Sequence, residues 1–117
     1  MSLYDRIRGG DESVEKIPIW PFINYFTFVM DGEKTVADMA EEFNLSAAEQ
    51  VELGAYLTGV GGQITAEIQR RMGEGASQDT ATKDARTYEF SRAWQALSRA
   101  ERGYIDEARL KSDFGIT

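Results

Sequence analysis

The chain has 117 residues, of which 42% are apolar and 28% are charged, and its formal net charge is −7. This composition is typical of a single globular domain and excludes an intrinsically disordered chain. The chain contains neither cysteine nor histidine. Their absence excludes disulfide bonds, thiolate nucleophiles and the usual zinc ligands. We therefore expect no metal, no cofactor and no enzymatic activity.

The chain begins with MSLYDRIRGGDES, in which a first helix is predicted from Ser2 to Arg8, before Gly9 and Gly10. This segment lacks the apolar stretch and the small-residue cleavage site of a secretory signal. We therefore expect the protein to originate in the cytoplasm.

The most apolar segment is residues 17–30, IPIWPFINYFTFVM, which is too short and too interrupted by two prolines for a membrane helix of about 20 residues. Pro21 suits the first turn of a helix, and Asp31-Gly32 is predicted to end that helix. We expect no contact with a membrane.

This helix is apolar on nearly all of its sides, and five of the thirteen aromatic residues lie between Trp20 and Phe28. Such a helix either forms the centre of its own core or is also covered by another subunit, and the sequence leaves both readings open. The residues that we predict for a subunit contact on this helix are Trp20, Phe22, Tyr25 and Phe26.

Two capped helices meeting at a tight turn, the layout of a helix-turn-helix, are predicted between Thr35 and Tyr56. Asp38 follows Thr35 by three residues and Glu49 follows Ser46 by three, so each pair forms a capping box. The segment nevertheless carries five carboxylates and no Lys or Arg. Because phosphate contacts from basic residues supply most DNA affinity, the motif favours packing or protein contact and disfavours nucleic-acid binding.

Further along, glycines at positions 59, 61 and 62 predict a flexible corner between helices, and the polar stretch 73–82, GEGASQDTAT, predicts a flexible linker. The tail, 83–117, is too short for a core of its own and must dock on the first part of the chain or on a neighbouring chain. A last helix is predicted from about Arg99 to Asp113, burying Tyr104 and Ile105.

Within the tail, an apolar stripe includes Phe90, Trp94 and Leu97, and arginines occupy the other side of the same helix. Trp94, Arg92 and Arg99 are further candidates for protein contact. The arginines could meet the acidic segment of a second copy or form a solvated basic face, and the sequence leaves both readings open.

No convincing strand pattern occurs, so the predicted fold is all-α: a small single domain, residues 1–117, with about five or six short helices and a helix-turn-helix-like corner. In its size and in the segments TVADMAEEFNLSAAEQ, IPIWPFINYF and LSRAERGYIDEARL, the chain resembles the small helical structural proteins of tailed bacteriophages, such as head-completion, connector, decoration or tail-associated subunits. This resemblance implies a part of a virion that is present in many copies.

We therefore expect a non-enzymatic structural or assembly subunit whose partners are proteins, either copies of itself or other subunits of a particle. We expect no small-molecule substrate. The alternative is a helix-turn-helix domain that binds DNA or associates with transcription, and its mark would be binding that weakens steeply with salt.

Overall fold

A computed structural model describes residues 2–9 and 15–116, which contain six α-helices and no strand. The helices are α1 (Leu3–Arg8), α2 (Ile19–Met30), α3 (Val36–Glu42), α4 (Ala47–Gly73), α5 (Gln78–Glu101) and α6 (Glu107–Asp113). The predicted all-α fold is confirmed. Two of the helices are not short, however, since α4 has 27 residues and α5 has 24.

The two long helices form an antiparallel hairpin against which the four shorter helices pack. The hairpin shares its core with the inner faces of α2 and α3 and with the end of the chain. At the centre, the Phe114 ring stacks on the Tyr56 ring at 4.9 Å between centroids and meets Phe26 edge-on at 6.1 Å. Phe22 continues this aromatic core toward Phe43, with a centroid distance of 5.1 Å.

The helix-turn-helix-like corner between α3 and α4 forms as the sequence predicts. The Thr35 hydroxyl accepts a hydrogen bond from the Asp38 backbone N–H at 3.1 Å, and the Ser46 hydroxyl accepts one from the Glu49 N–H at 3.2 Å. Asn44 has a φ of 53°, the left-handed conformation that ends α3. Because each of these hydrogen bonds joins residues three positions apart, both helix starts can be predicted from the sequence.

Three predicted boundaries differ from the structure. The glycines at 59, 61 and 62 lie inside the continuous helix α4, where Gly59 allows the Phe114 carbonyl to approach closely: a Cβ at position 59 would lie 2.0 Å from that oxygen. The predicted linker 73–82 reduces to the turn 74–77, because the Ser77 hydroxyl caps α5 from its first residues.

The predicted last helix, Arg99 to Asp113, is divided in two. The chain turns at Gly103, whose φ is 75°, and a new helix starts after Asp106, whose carboxylate accepts a hydrogen bond from the Arg109 N–H at 2.8 Å. As a result Tyr104 is 72% exposed instead of buried, and Leu110 and Phe114 enter the core in its place.

Candidate functional site

The outer side of α2 is unusual because it is exposed and carries no charge. No residue from Ile19 to Met30 is acidic or basic. The inner side of the helix buries Phe22, Ile23 and Phe26 almost completely. On the outer side, Trp20, Asn24 and Phe28 follow one another at intervals of four residues, which places them in one row along the helix. We call these three residues the α2 outer row.

Trp20 is joined by Trp94 of α5, so the two tryptophans of the chain form a single cluster. Their rings stack with centroids 5.5 Å apart and an interplanar angle of 29°. Both remain accessible, since Trp20 is 62% exposed and Trp94 is 37% exposed. Phe28, at the other end of the α2 outer row, is 44% exposed. Large aromatic side chains with this accessibility are typical of surfaces that bind other proteins.

A groove with a volume of about 230 Å³ lies beside the stacked tryptophans, between α2 and α5. We call it the tryptophan groove. Its lining consists of Trp20, Ile23, Asn24, Thr27, Phe90, Ser91 and Trp94. Four of these side chains are apolar or aromatic and three are small and polar, so the groove can accept an apolar side chain and still satisfy a few hydrogen bonds.

Beyond Thr27 and Phe90, the space between the helices becomes polar. A shallower groove continues along α5 past Arg86 and Lys83. An Arg86 guanidinium nitrogen lies 2.7 Å from a carboxylate oxygen of Asp31, which joins the end of α2 to α5. This partly exposed ion pair links the two helices that line the tryptophan groove.

The residues predicted for protein contact on α2 separate into two groups. Phe22 and Phe26 have no accessible surface and belong to the core, so the prediction that they contact a partner is corrected. The reason is that α2 turns these two positions toward α3, α4 and the chain end, where Phe43 and Phe114 cover them. Tyr25 is half-buried and meets the Phe28 ring edge-on at 5.8 Å, so it supports the α2 outer row from one side.

The two predicted arginines lie on α5 outside the lining of the tryptophan groove. Arg92 forms an ion pair with Glu89 at 3.3 Å, and its guanidinium carbon lies 5.8 Å from the Tyr88 ring centroid. Arg99 is exposed near the end of α5. The structure thus brings together Trp20 and Trp94 among the predicted residues, and it leaves both arginines apart from them.

Two residues of the α2 outer row, Asn24 and Phe28, are not among the residues predicted for a protein contact, and the larger of them is Phe28. Its signal was available, because Phe28 follows Trp20 by eight residues and Asn24 lies midway between them. This spacing keeps all three residues on one side of a helix.

The helix-turn-helix-like corner has a different character, because two of its five carboxylates bind α1. Glu49 is buried and pairs with the guanidinium of Arg6 at 3.2 Å. A Glu52 carboxylate oxygen accepts a hydrogen bond from the Leu3 N–H at 2.7 Å. The remaining three, Asp38, Glu41 and Glu42, are exposed on α3.

The charges left on the outside of this corner are therefore negative. The Asp38 carboxylate accepts a hydrogen bond from the Thr35 backbone N–H at 2.9 Å. This hydrogen bond, together with one that involves the Thr35 side chain, holds the pKa of the Asp38 carboxyl below its ordinary value of 3.8. Asp38 is thus a stably ionised carboxylate at neutral pH. A face of this charge repels phosphate.

Among the described residues, no group of three or more His, Cys, Asp or Glu side chains is placed to hold a metal ion. No helix in residues 2–9 and 15–116 is long and apolar enough to cross a membrane. No protein-family model, curated protein or solved structure matches the chain.

Proposed function

We propose that this protein is a non-enzymatic structural or assembly subunit that binds other protein chains through the α2 outer row and Trp94. The observation that carries the proposal is the stacked pair of Trp20 and Trp94. Both tryptophans of the chain lie together on an uncharged surface and remain accessible. The larger complex that the sequence resemblance suggests is a bacteriophage virion.

The energetic reason is the amount of apolar surface that stays in water. An aromatic side chain of this kind buries about 150–250 Å² when fully covered. With 62% of Trp20 exposed, moving this surface out of water would be favourable by about 3 kcal/mol at roughly 25 cal/mol per Å², before the entropic cost of association is subtracted. Truncating such a residue is the kind of change that weakens protein interfaces most.

The experiment is to measure the mass of the purified protein by light scattering over a range of concentrations, together with tryptophan fluorescence. Because both tryptophans lie in the proposed contact surface, their emission should shift to shorter wavelength as the mass rises above that of the monomer. Trp20→Ala should keep the far-UV circular dichroism of a folded helical protein and lose the association.

The matched control is Tyr104→Ala, which removes another highly exposed aromatic residue, 72% accessible, on the loop between α5 and α6. This variant should associate as the unchanged protein does. A Trp20→Ala variant that associates normally would contradict the proposal.

The alternative, DNA binding through the start of α4, has weaker support. The first residues of α4 that face solvent are Ala47 and Ala48, and Glu49 is held by Arg6. A helix that reads DNA bases needs neighbouring cations to bind the phosphates. Binding to duplex DNA that weakens steeply with added salt would favour this alternative.

A further inference from the structure

The α2 outer row has the same chemistry on both sides of its midpoint. Asn24 has an exposed aromatic residue four positions before it, Trp20, and another four positions after it, Phe28. A second copy of the helix, rotated by 180° about an axis beside Asn24, therefore places its Phe28 against Trp20 of the first copy. We propose that the partner of this row is α2 of a second copy of the chain, in an antiparallel contact whose two-fold axis passes beside Asn24.

This inference rests on the proposed function and adds the partner and the geometry of contact. In a two-fold interface the same patch is used by both subunits, and a residue on the axis meets its own counterpart. Phe28 of each copy would then contact Trp20 of the other. The contact would be made twice, once on each side of the axis.

The dimensions of the row suit a contact between two crossing helices. At about 1.5 Å per residue, Trp20 and Phe28 lie about 12 Å apart along the helix axis. Residues spaced by four form a ridge, and ridges of this type commonly pack into the grooves of another helix at a crossing angle of about −50°. Contact between helices crossing at such an angle extends over only two or three turns, which is the length of the row.

The tryptophan groove provides the place into which an incoming phenyl ring can insert. It lies directly beside Trp20, and Phe90 and Trp94 contribute further aromatic walls. Phe28 of the second copy would enter this groove beside the stacked tryptophans. Aromatic residues seated in a pocket of this kind are the usual centres of protein interfaces.

Asn24 supplies the specificity of the arrangement. It is exposed, and within the described part of the structure its side-chain amide makes no hydrogen bond. An amide group both donates and accepts hydrogen bonds, so two Asn24 side chains across the axis can bond to each other. A single polar residue in an apolar helix contact selects the register in which it meets a polar partner.

The charge distribution around the row is compatible with contact between two copies. No residue from Ile19 to Met30 is charged, so two copies of the row meet without repulsion between like charges. The nearest charged residues before and after α2, Lys16 and Asp31, lie outside the row. Helices that cross at about −50° diverge toward their ends, so the uncharged row makes the contact.

The test uses opposite charges at the axis. Asn24→Asp and Asn24→Lys each place two like charges beside each other in a homodimer, and each should raise the dissociation constant at least about tenfold. Mixing the two variants places Asp against Lys, and the mixture should form a heterodimer of the unchanged size by sedimentation velocity. The matched controls are Val51→Asp and Val51→Lys, because Val51 is 75% exposed on α4 and lies outside the proposed contact. Both control variants should dimerise as the unchanged protein does.

A second measurement uses the absence of cysteine from the chain. Asn24→Cys should form an intermolecular disulfide under mild oxidation, because a disulfide requires Cα atoms within about 7 Å and only a nearby two-fold axis brings position 24 this close to itself. Val51→Cys is the control and should form far less of the linked dimer.

The outcomes separate the inference from the proposed function. If the unchanged protein associates and loses association with Trp20→Ala, but the mixture of Asn24→Asp with Asn24→Lys does not restore it, the two-fold arrangement is overturned and the proposed function stands. Association that is indifferent to charge at position 24 overturns the arrangement in the same way. A protein that is monomeric throughout overturns the two-fold arrangement, and the partner in the proposed function is then a different chain.

Discussion

Replacing Gly59 with alanine tests the packing of the chain end against α4. In the middle of a helix, alanine is normally more stable than glycine by about 0.5–1 kcal/mol. At position 59 the sign should reverse. The added Cβ would lie 2.0 Å from the Phe114 carbonyl oxygen and 3.2 Å from its carbon, and both atoms belong to the backbone, so a side-chain rotation cannot relieve the clash.

The expected loss of stability depends on how far the added Cβ displaces Phe114. A small shift of the chain end would cost about 1–3 kcal/mol, as in other overpacked cores. Complete release would remove Phe114 from its stack on Tyr56, and losing a buried phenylalanine costs about 3–5 kcal/mol. After subtracting the helix preference of alanine, we expect Gly59→Ala to lower the free energy of unfolding by about 1–4 kcal/mol.

The matched control is Gly62→Ala, less than one helical turn further along α4, where an added Cβ would meet no atom within 4 Å. This variant should be more stable than the unchanged protein by about 0.5–1 kcal/mol. Urea denaturation followed by circular dichroism measures both changes. The two variants should differ by about 1.5–5 kcal/mol in the free energy of unfolding, which separates their midpoints by about 1–3 M at a slope of about 1.5 kcal/mol per M. If Gly59→Ala proves as stable as Gly62→Ala, the contact between α4 and Phe114 is wrong.

Two further predictions concern the ion pair between Arg6 and Glu49 and the carboxylate of Asp38 at the start of α3. Arg6→Ala should lower the free energy of unfolding by about 3–5 kcal/mol, because it leaves the buried Glu49 carboxylate without its partner. Lys111→Ala removes the ion pair with Glu107 on α6, in which both side chains are accessible, and should change this free energy by less than about 1 kcal/mol. Equal effects in urea denaturation would refute the role of the buried pair. Because the folded state lowers the pKa of Asp38, its stabilisation is present at neutral pH and is lost as the pH falls below the ordinary value of 3.8 toward the folded value. Asp38→Asn should therefore be less stable than the unchanged protein at about pH 7, and this difference in stability should shrink as the pH falls below 3.8. A difference that does not shrink with acid would count against the capping interaction.

The start of each capped helix and the class of fold could be predicted because they depend on residues that are close in the chain. Thr35 with Asp38, and Ser46 with Glu49, satisfy backbone N–H groups within one turn. The buried stripe of α4, including Leu53, is likewise visible in the spacing of apolar residues. Neither the helix starts nor this stripe depends on contacts between residues that are distant in the chain.

Positions with two plausible roles could not be assigned from the sequence. The glycine at position 59 could mark a corner or a close approach, and only Phe114, distant in the chain, selects the second role. The break of the last helix at Gly103 depends on the way the chain end returns to dock on α4 and α5, so the local pattern alone extended that helix too far.

In the candidate site, too, some features depend on local sequence and others on contacts between distant residues. Composition and local spacing are enough to establish that α2 is aromatic and uncharged, that basic residues are absent from the helix-turn-helix-like corner, and that tryptophans occur at positions 20 and 94. Which aromatic residues are covered depends on the packing of distant segments, because α2 is apolar on nearly every side and the neighbouring helices determine which side is buried. Packing of α3, α4 and the chain end against Phe22 and Phe26 left Trp20 and Phe28 outside, where α5 brings Trp94 to complete the surface.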